Sequence, residues 1–197
     1  MMEIKICIIG LGYVGLPLAV AFSEKFKVIG YDINQDRVSE LKNGVDKTDE
    51  ISPDVLKKLG ESLVFVSNKD AIKGCNIYIV TVPTPIDENN LPNLNSLISA
   101  SQLVGSVLKE NDIVIYESTV YPGVTEDVCV PEIEKYSGMV FNNDFYCGYS
   151  PERINPGDKT HKLTDIQKVT AGSSPEAANF IDTLYGSIIT AGTYSAS

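Results

Sequence analysis

The chain opens on a continuous apolar run, Lys5-Ile-Cys-Ile-Ile-Gly10, the pattern of a strand buried on both faces. The period then changes. Leu16, Leu18, Ala19, Ala21 and Phe22 share one side of a helix that the spacing starts near Tyr13 and lets fade at Glu24-Lys25, before a second apolar run at 27–32. Asn34 is placed to cap a further helix through Leu41, which Gly44 ends. Strand, helix, strand, helix is the alternation that builds a parallel sheet. It continues with strands at 63–67, 77–82 and 112–117 and helices at 54–59, 95–108 and 124–135. Strands at 146–149, 168–171 and 187–191 then flank a helix at 175–185. The pattern predicts an α/β fold in one domain over residues 1–197, a doubly wound, mostly parallel sheet with helices on both faces. Two irregular stretches, 83–92 and 151–162, each follow a strand. In open α/β sheets ligands lie outside the carboxyl ends of the strands, so these loops are where function is sought.

Composition narrows the partners. The 197 residues carry 16 Lys and Arg against 26 Asp and Glu, a formal charge of −10, which argues against nucleic acid because phosphate backbones are bound by clustered cations. With 43% hydrophobic residues, the chain is neither disordered nor collagen-like. No apolar run approaches the roughly 18 residues a bilayer-spanning helix needs. The start, Met1-Met-Glu-Ile-Lys5, lacks the basic, apolar and small-residue succession of a signal peptide. A cytoplasmic protein with no membrane partner is expected. Cys7, Cys75, Cys129 and Cys147 have no CxxC spacing and no adjacent His, so each is read as a small buried hydrophobe rather than a zinc ligand or disulfide partner.

The motif with the most informative setting is Gly10-Leu11-Gly12-Tyr13-Val14-Gly15, a GxGxxG between a strand and a helix. Gly10 permits the tight turn, Gly12 lets the backbone approach a pyrophosphate, and Gly15 lets helix and strand pack closely. The helix N-terminus then offers N–H groups and partial positive charge to phosphates. This makes the sheet Rossmann-type and lets an acidic chain bind an anion without a basic patch. Asp32 ends the second strand about 20 residues on, where a carboxylate accepts hydrogen bonds from the adenosine ribose and repels a 2′-phosphate, so NAD is expected over NADP. Arg37 could pair with a phosphate, pack on the adenine or lie on the surface. Thr81-Val-Pro-Thr-Pro85 and Glu117-Ser-Thr-Val-Tyr-Pro-Gly123 each place hydroxyls at the sheet's carboxyl edge, where Thr84, Ser118 and Thr119 can face a cofactor or serve as turn or cap residues; Thr125 could cap as readily. Ser150-Pro-Glu-Arg153 opens the second loop with Glu152, either solvated or an acid/base group. His161, the only histidine, reads as an exposed loop residue.

In this order, Gly10-Leu-Gly-Tyr-Val-Gly-Leu-Pro17, Val82-Pro-Thr-Pro85, Glu117-Ser-Thr-Val-Tyr-Pro-Gly123 and Ser150-Pro-Glu-Arg153 resemble the nucleotide-sugar 6-dehydrogenases, the UDP-glucose and GDP-mannose dehydrogenases and their UDP-N-acetylhexosamine relatives. The resemblance spans nearly the whole chain. It implies oxidation of the C6 alcohol of a UDP-sugar to a carboxylate with two NAD, for polysaccharide biosynthesis. It further implies that Gly10, Gly12, Tyr13, Val14, Gly15, Asp32, Arg37, Thr84, Ser118 and Thr119 bind the cofactor. Thr119 would also position the catalytic water, and Glu152 would act as general base. Many members read Pro-Glu-Phe-Leu-x-Glu-Gly in this loop. Here Arg153 stands in the place of the Phe and Pro156 in that of the second glutamate, a form more similar to the UDP-N-acetylglucosamine or UDP-N-acetylgalactosamine branch.

The family chemistry also needs a Cys nucleophile with a Lys and an Asn, the cysteine in a Cys-x-Pro-Lys-Asp motif that this chain lacks. The expectation is therefore the N-terminal, NAD-binding part of a longer enzyme, inactive alone, whose full length forms a homodimer or higher oligomer. The alternatives are a 3-hydroxyacid or 6-phosphogluconate-type dehydrogenase, against which the last two motifs count, and a non-catalytic nucleotide-binding module.

Overall fold

Side chains along the central strands alternate between two cores, which is why those strands read as unbroken apolar runs. In the computed structural model, which describes residues 3–86, 88, 90–152 and 163–196, the strands are β1 (Lys5–Ile9), β2 (Lys27–Tyr31), β3 (Leu63–Val66), β4 (Ile77–Val80), β5 (Ile113–Tyr116), β6 (Tyr146–Tyr149), β7 (Lys168–Gly172) and β8 (Thr193–Ser195). They form one sheet in the order β3-β2-β1-β4-β5-β6-β7-β8. β1 to β6 are mutually parallel, β7 runs antiparallel to β6, and β8 lies parallel to β7. Ile6, Ile8, Ile77, Ile79, Ile113 and Ile115 face one core, with α1 (Gly15–Ser23) and α6 (Pro175–Gly186) over it. Cys7, Ile9, Tyr78, Val80, Val114 and Tyr116 face the other, covered by α4 (Asn95–Gly105) and α5 (Val130–Ser137). All four cysteines are buried there as free thiols, as expected of small hydrophobes.

Local signals explain most helix ends. Asn34 caps α2 (Gln35–Lys42) by accepting from Asp36 and Arg37 N–H, and Gly44, at φ +73°, turns the chain beyond it. Ser174 caps α6. The short α3 (Pro53–Lys58) starts on its proline. α1 differs. It starts at Gly15, not Tyr13, has no side-chain cap, and carries no acid in its first turn.

Two expectations are corrected. Residues 187–191 form a turn rather than a strand: Ile188 and Ile189 are buried, and their N–H groups bond back to Tyr185 O. The strand comes after Gly192 (φ +82°), as β8. An apolar pair can reach a core from a turn as well as from a strand, so the run misled. The expected helix at 124–135 begins with a wide π-type turn, Thr125–Cys129, in which Thr125 is buried and caps nothing.

Candidate active site

The β1–α1 turn is held by contacts a glycine pattern does not display. Gly10 adopts φ +95°, and Thr81 at the end of β4 donates its hydroxyl to Ile9 O (3.0 Å) and Gly10 O (2.7 Å). A Cβ at Gly15 would lie 1.9 Å from Gly10 O and 2.4 Å from Thr81 Oγ1, so only glycine fits. A Cβ at Gly12 would meet nothing within 4 Å, because Gly12 faces open space. The first helical bond runs from Leu16 N–H to Gly12 O, so the N–H groups before Leu16 have no acceptor within the helix. An uncapped helix end beside an open backbone is what a pyrophosphate requires. The residues present fit a dinucleotide.

Asp32 sits at the end of β2 with both oxygens oriented: Leu11 N–H donates to Oδ2 and Asn34 N–H to Oδ1, each at 2.9 Å. Arg37 lies behind the loop and does not line the cavity. Its Nε donates to Leu11 O at 2.9 Å and its Nη2 to Asp46 Oδ1 at 2.7 Å.

A cavity of about 1060 Å³ runs along the carboxyl edge of the sheet. Gly10, Gly12, Tyr13, Val14 and Asp32 line one end, Thr84, Ser118 and Thr119 its middle, and Glu117 and Glu152 are also in its wall. The hydroxyls expected to face a cofactor are partly engaged. Ser118 donates to Val82 O (2.6 Å) and Thr84 to Thr119 O (2.8 Å), which staples the loop after β4 to the loop after β5. Thr119 itself is exposed on the cavity. Gly15 packs beneath the lining. His161, Arg153 and Pro156 lie outside the described residues.

The far wall holds a buried charge cluster that sequence reasoning missed apart from Glu152. Lys168, opening β7, reaches Glu117 Oε2 at 2.5 Å, Glu152 Oε2 at 3.0 Å and Pro151 O at 3.4 Å. Tyr185 of α6 donates to Glu117 Oε1. The side chains of Lys168, Glu117 and Glu152 are 4%, 0% and 8% exposed. Burial pushes the Glu117 carboxyl up; Lys168 opposes this and Glu152 adds to it. Burial pulls the Lys168 ammonium down, but Glu117 and Glu152 outweigh it and hold the amine above its ordinary value. One cation is thus shared between two carboxylates, both of which line the cavity. A signal existed: Glu117 follows Tyr116 at the end of β5 as Asp32 follows Tyr31 at the end of β2. Lys168 had none, since a lysine opening a strand normally marks a solvent-facing end.

Comparison with known proteins follows the same outline. The profile described as UDP-glucose/GDP-mannose dehydrogenase family, NAD binding domain, matches residues 4–189. The chain is 57% identical over 197 residues to a UDP-N-acetyl-D-glucosamine 6-dehydrogenase of Pseudomonas aeruginosa, covering 100% of this chain and 46% of that protein. It is 50% identical over 196 residues to the protein CapL of Staphylococcus aureus, again over 100% and 46%. Among solved structures, the UDP-D-ManNAc dehydrogenase of Pyrococcus horikoshii superposes with a TM-score of 0.91 at 32% identity, over 98% of this chain and 47% of that one. The chain spans about half the length of the curated relatives it matches. Among the described residues no helix is long and apolar enough to cross a membrane.

Proposed function

The chain belongs to the UDP-glucose/GDP-mannose dehydrogenase family, as an NAD-binding domain, and from that premise we propose that it is the cofactor-binding half of a 6-dehydrogenase for a UDP-N-acetylhexosamine. UDP-N-acetylglucosamine is the substrate favoured by the 57% identity to enzymes of that name. The observation that carries the reading is the single cavity with a glycine loop and ribose carboxylate at one end and Glu152 in its wall. NAD held there would supply the hydride acceptor. Gly10, Gly12, Tyr13, Val14 and Gly15 form the phosphate end, Asp32 takes the ribose hydroxyls, and Thr84, Ser118 and Thr119 shape the channel toward the reacting centre.

Glu152 takes a proton from the water that hydrolyses the thioester formed on the enzyme's cysteine nucleophile, with Thr119 positioning that water. Lys168 holds the Glu152 carboxylate in place from behind. The nucleophile comes from a second, C-terminal domain of a longer protein, a requirement supported by the burial of all four cysteines of this chain in the core. Association of the full-length enzyme as a dimer or higher oligomer belongs to the same proposal, as does a cytoplasmic location.

The test uses the longer enzyme. With UDP-N-acetylglucosamine it should reduce two NAD per sugar, and Glu152→Gln should lower turnover by about 100-fold or more while NAD affinity is kept. NADH formation from a 3-hydroxyacid or 6-phosphogluconate, and none from any UDP-sugar, contradicts the assignment.

A further inference from the structure

Glu152 is placed by more than Lys168 alone. The residues that lead the chain into its loop are tied down one after another. Ser150 N–H donates to Tyr116 O at 2.9 Å and its hydroxyl to Val169 O at 2.8 Å, Pro151 O accepts from Lys168 Nζ at 3.4 Å, and Glu152 Oε2 accepts from the same ammonium at 3.0 Å. An ammonium has three N–H donors, and Lys168 directs its own at Glu117, Glu152 and Pro151. What fixes Lys168 is Glu117. Its Oε2 stands 2.5 Å from Nζ, its Oε1 accepts from the Tyr185 hydroxyl, and its N–H donates to Val80 O at 2.9 Å, so backbone and side chain are both anchored in the core. The Tyr185 ring supports the same ammonium, with its centroid 5.9 Å from Nζ. The Glu117 side chain is 0% exposed and has no surface to offer a substrate. Along the same strand end, Ser118 donates to Val82 O, and Thr119 follows, exposed on the cavity.

We propose that Glu117 is the positioning residue of the hydrolytic step: through Lys168 it sets the carboxylate of Glu152, and along its own chain it sets Thr119, so that the base and the residue that positions the water are referred to one buried anchor. The proposal rests on the roles given above to Glu152 and Thr119. In that step the water oxygen adds to the thioester carbonyl as Glu152 takes its proton, and the C–S bond breaks with its electron pair passing to sulfur. Both oxidations precede it, so a fault in hydrolysis leaves the first two NADH of each site untouched. Glu117 meets neither the water nor the sugar. A catalytic group displaced by about 1 Å loses on the order of 100-fold in rate. Lysine carries its charge on a flexible four-carbon stem, and it holds a base to that accuracy only when the ammonium is itself gripped from the other side.

The split between oxidation and hydrolysis is the readout, measured on the longer enzyme with UDP-N-acetylglucosamine. Glu117→Gln should form its first two NADH per site within about threefold of the parent rate, lower steady-state turnover by roughly tenfold, and leave the acyl-enzyme as the main species in intact-mass spectra of quenched samples. Glu117→Gln with Lys168→Met, which removes the tether and its cation together, should show the same split at least as strongly. In a Glu152→Gln background, Glu117→Gln should change turnover by less than about twofold, because the base it positions is gone. By calorimetry, the NAD affinity of the 197-residue chain should stay within about threefold of the parent in Glu117→Gln. A merely structural role instead slows the first two NADH, weakens NAD and keeps its full effect in the Glu152→Gln background, and that result overturns the proposal. Unchanged turnover in Glu117→Gln overturns it too, because Lys168 is then sufficient by itself. Should Glu117→Gln not fold, Glu117→Asp, which draws the carboxylate back by one methylene, is read by the same split and decides alone. A parent enzyme that forms no NADH from any UDP-sugar contradicts the assignment of the reaction, and the proposal falls with it.

Discussion

At the Gly10–Gly15 end of the cavity, the groups offered to a ligand are backbone N–H donors and one carboxylate set by hydrogen bonds from Leu11 and Asn34. At the far wall, Glu117, Glu152 and Lys168 come from segments up to 51 residues apart and hold one another by buried charge, with Tyr185 completing the set. The first end depends on space: a glycine where no Cβ fits, and open volume where one would. The second depends on charge balance among side chains that are almost wholly buried. The difference teaches that binding a dinucleotide asks the fold for a shape, whereas presenting a carboxylate for proton transfer asks for a partner that fixes its position without exposing it.

The comparison breaks most visibly at Lys168. Lys168→Met leaves two carboxylates against the Tyr185 hydroxyl with no cation, and should cost about 3–5 kcal/mol of folding stability by urea denaturation at pH 7. Adding Glu117→Gln should recover a large part. A Lys168→Met loss below 1 kcal/mol would mean the cluster is not buried as described. Gly15→Ala comes next. Its Cβ would stand 1.9 Å from Gly10 O, so the loop must shift, costing about 1–3 kcal/mol and weakening NAD by more than tenfold.

Asp112 sharpens the contrast from the other side, as a buried carboxylate with no ion-pair partner among the described residues. It is 2% exposed, accepts from Lys109 N–H, and burial pushes its carboxyl up to about 6. Because its folded value lies above the unfolded one, the folded state binds more protons between about pH 4 and 6, and stability falls as pH rises through that window. Asp112→Asn should therefore stabilise the chain at pH 7, by about 1–2 kcal/mol, and make little difference near pH 3. Glu117→Gln should do the opposite, because it takes from the buried Lys168 its 2.5 Å partner and leaves it Glu152 alone. Equal signs for the two variants, read from thermal melts across pH, would erase the distinction between a paired and an unpaired buried carboxylate. The smallest effect is expected at Thr81→Val, which removes a hydroxyl bonded to Ile9 O and Gly10 O. It should cost about 1 kcal/mol and a few-fold in NAD affinity.

What was legible in the sequence divides along the same line. The glycine loop, Asp32 and the strand–helix alternation are local: the residues that make them are neighbours in the chain, and their spacing carries the geometry. The doubly wound, mostly parallel sheet follows from that alternation, and the fold supplies its order. Thr81, Glu117, Lys168 and Tyr185 were missed because each acts across the sheet, through partners that only the fold brings together; Asp46 was missed although its partners, Arg37 and residues 48–51, lie close in the chain, because no spacing motif marks them. Lys168 is the extreme case. In the chain it opens an ordinary strand, and it becomes a buried cation only because β7 lies beside β6 and sets it against two glutamates. Arg37 is intermediate, since its place after Asp32 was noticed while the Asp46 that holds it was not. The turn at 187–191 was misread for a simpler reason: two isoleucines filled a core from a turn.

The account stands most directly on one experiment, calorimetric titration of NAD into the 197-residue chain and into its Gly15→Ala and Glu152→Gln variants. The two ends of the cavity predict one-to-one binding in the parent, loss of more than tenfold in Gly15→Ala, and affinity within about threefold of the parent in Glu152→Gln. Absence of NAD binding by the parent, or a Glu152→Gln variant weakened as much as Gly15→Ala, would contradict the division between an end that binds and an end that does chemistry.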